Sequence, residues 1–169
     1  MKTFCFVLAL IAVAAQPAAA QTIPSDLPAA LRPAGLSAYL EVAAKGVQIY
    51  TCGKNADGAW AWSFKAPEAE LTDIKNTPIG KHYAGPTWEG SDGGKVVGAA
   101  KANAPSPAGS IAWLLLDIKS REGSGQFTAA QAVLRVNTTG GVMPKDGCDE
   151  ANNGKDARVP YTATYLFLK

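Results

Sequence analysis

The feature that most constrains the fold of this chain is the alternation of apolar and polar residues in short runs. The C-terminal run VPYTATYLFLK is the clearest, because it places Tyr161, Tyr165 and Phe167 on one face of a strand. The runs are separated by Gly, Pro and Asn turns such as SDGG at 91–94, in which Asp-Gly is a strong turn signal. This pattern predicts an all-β protein, either a sandwich or a small barrel of about eight to ten mostly antiparallel strands.

Two segments carry more local predictions. The runs AYLEVAA and VQIYTC flank Lys45-Gly46, and this arrangement predicts a tight hairpin between them. In AWAWSFKAP, Trp60, Trp62 and Phe64 share one face by the strand period of two. Such a stripe is more typical of a core than of a ligand platform.

The start of the chain predicts export. Lys2 is followed by an apolar run from Phe4 to Ala15 and then by small residues that end at Ala20, the order of a secretory signal peptide and its cleavage site. The apolar run is shorter than the roughly 20 residues that a membrane span needs. We therefore expect a secreted or periplasmic protein that is not membrane-spanning, with a signal peptide (1–20), a proline-rich arm (21–35) and a β-rich domain (36–169).

The charge balance argues against a nucleic-acid partner. The chain has 16 Lys and Arg residues against 14 Asp and Glu residues, and Lys2 lies in the predicted signal peptide. Nucleic-acid binding requires a basic patch or stripe. The sequence also has no polybasic segment of the kind that binds membrane surfaces.

Two cysteines, Cys52 and Cys148, follow the predicted signal peptide, which contains Cys5. In an oxidising compartment such a pair is most simply read as one disulfide. The bridge would close a loop of roughly a hundred residues, which is worth about 4 kcal/mol in the chain-entropy model. A redox or metal-binding thiol pair is the alternative, but the sequence has no C-x-x-C spacing and one histidine.

The stretch GKHYAGPTWEG contains the candidate site. It holds the single histidine of the chain, His82, together with Tyr83, Thr87, Trp88 and Glu89. An aromatic wall with a few polar groups is typical of a ligand pocket, so we interpret these five residues as ligand-binding candidates. The partner would be an unknown small molecule, a glycan or an envelope component. The alternative is structural, with the histidine bonded to loop carbonyls and the glycines and proline setting the chain direction.

A catalytic interpretation would make His82 a general base near neutral pH, oriented by Glu89 or Asp92, with Tyr83 or Arg135 as a partner. The sequence lacks the G-x-S-x-G, P-loop and dinucleotide fingerprints. One histidine and scattered acids give no metal-ligand spacing. We therefore expect no cofactor and no metal, assign no catalytic residue, and favour a non-catalytic ligand-binding or envelope-associated domain. A small hydrolase or lyase that uses His82 as its base is the alternative.

Several longer motifs follow one another in order, including GVQIYTC, GKHYAGPTWEGSDGGKVVG, RVNTTGGVMPKDGCD and VPYTATYLF. By these motifs the chain, over about residues 30–169, resembles the uncharacterised family catalogued as domain of unknown function 3455, found in exported bacterial and fungal proteins. The resemblance implies a secreted all-β domain in which Cys52 and Cys148 fall in recurring motifs. It marks the stretch from His82 to Glu89 as part of the family pattern, and it implies no established activity.

Overall fold

Each strand of the computed structural model pairs antiparallel with the next along the chain, over the described residues 23–25 and 27–169. The strands are β1 (Ala38–Lys54), β2 (Trp60–Thr72), β3 (Pro78–Tyr83), β4 (Thr87–Gly90), β5 (Lys95–Ala104), β6 (Trp113–Glu122), β7 (Ala132–Gly140) and β8 (Asp156–Leu168). β8 returns to pair with β1, so that the sheet closes into a barrel. The predicted all-β fold is confirmed, with eight strands in a barrel.

The two helical segments of the described residues are short 3-10 turns at Ala29–Leu31 and Glu150–Asn152. Within the described part of the chain, no helix is long and apolar enough to cross a membrane. The predicted signal peptide (1–20) lies outside the described residues, as do Gln21, Thr22 and Asp26 of the predicted arm.

The barrel interior is filled by side chains that alternate along each strand. On β8, Tyr161, Tyr165 and Phe167 are buried in the same interior cluster, as the sequence alternation predicts. Val42 of β1 and Val133 of β7 belong to that cluster as well. These residues form the main core.

A second apolar cluster lies on the outer face of the barrel. The cluster includes Leu115 of β6 and Leu166 and Leu168 of β8. Leu27 and Leu31 of the N-terminal segment pack against these strands as part of the same cluster. The segment therefore covers part of the outer face, and the strands beneath it are buried on both sides. This explains why β6 and β8 contain continuous apolar runs rather than strict alternation.

One end of the barrel is closed by the loop between β6 and β7. Phe127 in this loop is fully buried and stacks on Phe167, with 4.6 Å between the ring centroids. The carboxylate of Asp92, in the β4–β5 turn, accepts a hydrogen bond from the backbone N–H of Gln126 at 2.7 Å and so fixes the loop. In an up-and-down barrel alternate connections lie at the same end, so the β1–β2, β3–β4, β5–β6 and β7–β8 connections surround the other end, which we call the mouth.

The predicted disulfide is present and holds the β7–β8 loop against the mouth. It joins Cys52, near the end of β1, to Cys148 in the loop. The Tyr50 hydroxyl donates to the carbonyl oxygen of Gly141 at 2.6 Å, and Nε1 of Trp62 donates to the carbonyl oxygen of Asp146 at 2.9 Å. One side of the mouth is therefore fixed by a covalent bond and two hydrogen bonds.

The predicted hairpin at Lys45-Gly46 is wrong, because β1 runs without interruption through both residues. Gly46 pairs with Ala69 of β2, and a Cβ atom on Gly46 would overlap the carbonyl oxygen of Glu68 and the Cα of Ala69. The glycine therefore allows a close approach of two strands instead of a turn.

The predicted core stripe of Trp60, Trp62 and Phe64 is also not in the core. Trp60 and Trp62 are half-buried and Phe64 is 57% exposed. These residues begin β2, where it pairs with the end of β1, and they therefore lie at the mouth. Trp62 covers the disulfide-bonded loop, and Phe64 forms part of the rim.

The close approach at Gly46 gives a stability test with a matched control in the same strand. Gly46→Ala should lower the free energy of unfolding by about 1–3 kcal/mol, because the added methyl group has no space. Gly53→Ala should change it by less than about 0.5 kcal/mol, since a Cβ atom there meets nothing within 4 Å. Urea denaturation of the three proteins measures both values, and equal effects of the two substitutions would contradict this account of Gly46.

Candidate functional site

The mouth leads into a cavity of about 250 Å³ inside the barrel. Side chains from all eight strands line it, among them Gln48 of β1, His82 of β3, Trp88 of β4, Arg135 of β7 and Tyr165 of β8. Leu114 and Leu116 of β6 line it as well. An eight-stranded barrel is wide enough to be filled by side chains or to hold one small ligand, and this mouth cavity offers such a space.

The inner wall of the mouth cavity is aromatic. The rings of His82 and Trp88, which face each other across the β3–β4 pair, stack with 4.7 Å between centroids. Tyr165 lies 5.0 Å from His82 and 5.4 Å from Trp88, measured between centroids. Trp88 also contacts Phe167 at 5.9 Å, so the aromatic wall continues into the packed core at the closed end.

His82 is a buried, neutral imidazole. Its side chain is 3% exposed, and its Nδ1 lies 2.8 Å from the carbonyl oxygen of Thr87. A carbonyl oxygen accepts hydrogen bonds, so Nδ1 carries the proton and Nε2 is an unprotonated acceptor. The pKa of His82 is lowered to about 4, mainly because burial disfavours the charged ring. The positive charge of Arg135 also lowers this pKa, and the hydrogen bond to Thr87 raises it. His82 is therefore uncharged at neutral pH.

Four buried polar atoms in or beside the mouth cavity have no hydrogen-bond partner among the described residues. They are Nε2 of Gln48, Nε1 of Trp88 and the hydroxyls of Tyr161 and Tyr165. Both tyrosines lie on the interior face of β8. The Tyr161 hydroxyl lies near Tyr165 and Gln48, and the Tyr165 hydroxyl lies near Arg135, but none of these pairs meets hydrogen-bond geometry. Burial raises the pKa of both tyrosines, so each hydroxyl keeps its proton and remains a donor.

Arg135 gives the mouth cavity its charge. Its Nε and Nη2 both donate to the carbonyl oxygen of Ala112, at 3.2 and 2.8 Å. None of the described carboxylates lies within ion-pair distance of it, and no Asp or Glu lines the cavity. The other cation of the lining, Lys65, is neutralised by Asp156 at 2.6 Å. The charged side chains of the lining therefore leave a net positive charge in the cavity.

Irregularities in the strand pairing shape the mouth. The β1–β2 register shifts between Ile49 and Tyr50, which leaves Lys65 as an extra residue on β2. Further shifts occur in the β5–β6 pair after Ala100 and in the β7–β8 pair after Val136. Such bulges bend strands and redirect side chains, and they are common at barrel rims.

The residues proposed from the GKHYAGPTWEG stretch fall on two sides of the sheet. His82 and Trp88 come together inside the mouth cavity. Tyr83 and Glu89 lie outside the barrel, where the Tyr83 hydroxyl donates to Oε2 of Glu89 at 2.5 Å. Thr87 is buried, with its Oγ1 donating to the carbonyl oxygen of Ala84 at 2.7 Å, and it contributes its own carbonyl to His82.

Among the residues that the structure describes, no carboxylate orients His82. β3 pairs with β4 so that His82 lies opposite Trp88, which puts the neighbouring Glu89 on the other face of the sheet. Asp92 binds the loop at the closed end of the barrel. In the part of the chain that the structure describes, no three His, Cys, Asp or Glu side chains are grouped so as to hold a metal ion.

A comparison with protein-family models identifies the family. The model described as "Protein of unknown function (DUF3455)" matches residues 33–169. The chain belongs to this family. The matched range contains all eight strands, the disulfide and the complete lining of the mouth cavity. Comparisons with curated proteins and with solved structures find no match.

The residues in or beside the mouth cavity include several that the sequence pattern did not single out as ligand contacts. These are Gln48, Tyr161 and Tyr165, and also Arg135, which the sequence suggested as a partner of a catalytic His82. The alternation in β8 marks both tyrosines as inward-facing, and Gln48 shares a face with Tyr50 by the same period. Their convergence on one cavity follows from the closure of the barrel, which no local pattern contains.

The pKa of His82 can be measured directly, because the chain has one histidine. In the untagged protein its ring protons should not titrate between pH 8 and 5.5 by NMR, with a midpoint near 4. The unfolded chain takes up this proton near pH 6.5. Stability should therefore be complete above about pH 6.5 and fall as the pH drops toward 4, by an amount on the order of 3 kcal/mol.

The control is His82→Asn, whose amide nitrogen can still donate to Thr87. Measured by urea denaturation, the free energy of unfolding of this variant should fall less between pH 7 and 4.5 than that of the wild type. The difference reports on His82, because the other acid-sensitive groups are unchanged. An NMR titration midpoint near pH 6.5 for His82 in the wild type would contradict a buried, neutral imidazole.

Proposed function

We propose that this protein binds one small molecule in the mouth cavity without catalysing a reaction. The observation that carries the proposal is the mouth cavity itself, about 250 Å³ of space lined by the aromatic wall and by Arg135. Ligand sites are typically concave and mostly apolar, with a few polar or charged groups. Four buried polar atoms in or beside the cavity, from Gln48, Trp88, Tyr161 and Tyr165, have no hydrogen-bond partner among the described residues. Such departures from self-consistent packing are expected at functional sites.

The rigidity of the site supports a binding role. The lining includes residues from all eight strands of a closed sheet, and the disulfide between Cys52 and Cys148 fixes the adjoining loop. Little conformational entropy would then be lost when a ligand enters. The aromatic wall of His82, Trp88 and Tyr165 provides a flat apolar surface for the body of the ligand.

The geometry supports binding better than the hydrolase or lyase alternative. With a pKa of about 4, His82 is a weak base at neutral pH. Its Nδ1 is held by a backbone carbonyl and not by an acid. In a binding role, the His82 ring instead forms part of the aromatic wall with Trp88 and Tyr165.

We also propose that the protein is exported and acts outside the cytoplasm. The disulfide supports this location, because such bonds persist mainly in oxidising compartments. The signal-peptide pattern of residues 1–20 supports it as well. An envelope component or a solute of that compartment would then be the available ligand.

The binding role predicts ligand-dependent stabilisation that requires an open mouth cavity. In a thermal-shift panel of small acids, alcohols, amines, amides and sugars, at least one class should raise the melting temperature of the wild type by several degrees. Ala100→Phe should abolish that rise, since Ala100 lines the cavity and is exposed, so a larger side chain there blocks the space without disturbing the core. Ala43→Phe, on the exposed outer face, is the matched control and should respond as the wild type does. A rise that persists in Ala100→Phe would place the binding elsewhere.

A pair of tyrosine substitutions separates binding groups from structural ones. Tyr165→Phe should leave the free energy of unfolding unchanged or raise it, because its hydroxyl has no partner among the described residues. Tyr50→Phe should lower it by about 1 kcal/mol, because the Tyr50 hydroxyl donates to Gly141 at 2.6 Å. Both side chains are buried, so urea denaturation compares the hydroxyls alone. Equal losses in the two variants would show that Tyr165 has a structural partner.

A further inference from the structure

We infer that the ligand is a carboxylate with an apolar tail, a conclusion that rests on the proposed binding function and names its ligand class. The first reason is the charge of the mouth cavity. Arg135 is half-buried in its lining, and no carboxylate of the described residues pairs with it. A buried or partly buried cation without a counter-charge is costly, and an anionic ligand supplies that counter-charge.

The second reason is the hydrogen-bonding capacity of Arg135 itself. Its Nε and Nη2 donate to the carbonyl oxygen of Ala112. Its Nη1 meets hydrogen-bond geometry with none of the described residues, although the Tyr165 hydroxyl lies close to the guanidinium. A carboxylate accepts up to about four hydrogen bonds and donates none, so it can accept from this guanidinium.

The third reason is an apolar groove that continues outward from the cavity. This rim groove shares Gln48, Phe64, Leu114 and Arg135 with the mouth cavity, and it adds Val142 and Met143 of the β7–β8 loop. Phe64, Val142 and Met143 are 57%, 44% and 45% exposed, which is unusual for large apolar side chains. Gln48 and Arg135 lie at the junction of the two spaces. A ligand with its acid group at the junction would place its tail along the groove.

The inference is tested by isothermal titration calorimetry with four eight-carbon compounds that differ in the head group: octanoate, octan-1-ol, octanamide and octylamine. Octanoate should bind the wild type about tenfold or more tightly than each of the others, because its charge-assisted hydrogen bonds are the strongest. Acetate, which has the head without the tail, should bind more than tenfold more weakly than octanoate, since each buried CH₂ group adds roughly a fourfold gain in affinity.

Two pairs of variants locate the head and the tail. Arg135→Gln should weaken octanoate binding by about tenfold or more and leave octan-1-ol unaffected. Its control is Arg121→Gln, because Arg121 also donates to backbone carbonyls, of Thr128 and Ala130, but lies at the closed end. Phe64→Ser should weaken octanoate binding severalfold through lost apolar contact. Ile74→Ser is its control, since Ile74 is 70% exposed in the β2–β3 turn at the closed end.

The outcomes distinguish this inference from the proposed function. If the four compounds bind the wild type equally, or if octanoate binds the Arg135→Gln protein as tightly as the wild type, the inference is wrong. The proposed binding of a small molecule in the mouth cavity would still stand if the Ala100→Phe substitution abolishes the affinity for these compounds. If none of the four compounds binds, the inference is also wrong, and the wider thermal-shift panel decides the proposed function.

Discussion

The pairing of β1 with β8 is the interaction on which the rest of this structure depends. It extends from Ala38 opposite Leu168 to Thr51 opposite Asp156 and gives every strand two neighbours. Without it the sheet would have two unpaired edges, which are sites of aggregation, and no enclosed interior. Because β1 is long, one strand contributes Val42 to the core, Gln48 to the cavity and Cys52 to the disulfide.

The interior changes in character from the closed end to the mouth. Near the closed end, Phe127 and Phe167 stack in a fully buried, apolar environment that stabilises the fold. At the mouth, buried donors lie without partners among the described residues beside Arg135. The closed end is therefore packed with apolar rings, whereas the mouth keeps buried polar groups that carry a desolvation cost. Under the proposed binding function, this division reflects a trade-off between stability and activity.

The rim of the mouth is held in position by contacts that lie outside the core. The disulfide, the hydrogen bond from Tyr50 to Gly141 and the bond from Trp62 to Asp146 fix the β7–β8 loop. Met143, within this loop, can then remain exposed at a defined position beside the cavity. Two features of the sequence, the paired cysteines and the tryptophan stripe, thus serve the same loop, although the stripe by itself resembled a core pattern.

The sequence alone predicted the all-β fold, the disulfide and the inward face of β8, because strand alternation is a local pattern and because Cys52 and Cys148 are the two cysteines that follow the predicted signal peptide. It also directed attention to His82 and Trp88. It did not determine the role of Gly46, which depends on how closely β2 approaches. Only the tertiary structure separated His82 and Trp88 from Tyr83 and Glu89, and joined the first pair to Gln48, Arg135 and Tyr165. The physical reason is that strand register and barrel closure decide which face each side chain occupies, and a shift of one residue reverses every assignment.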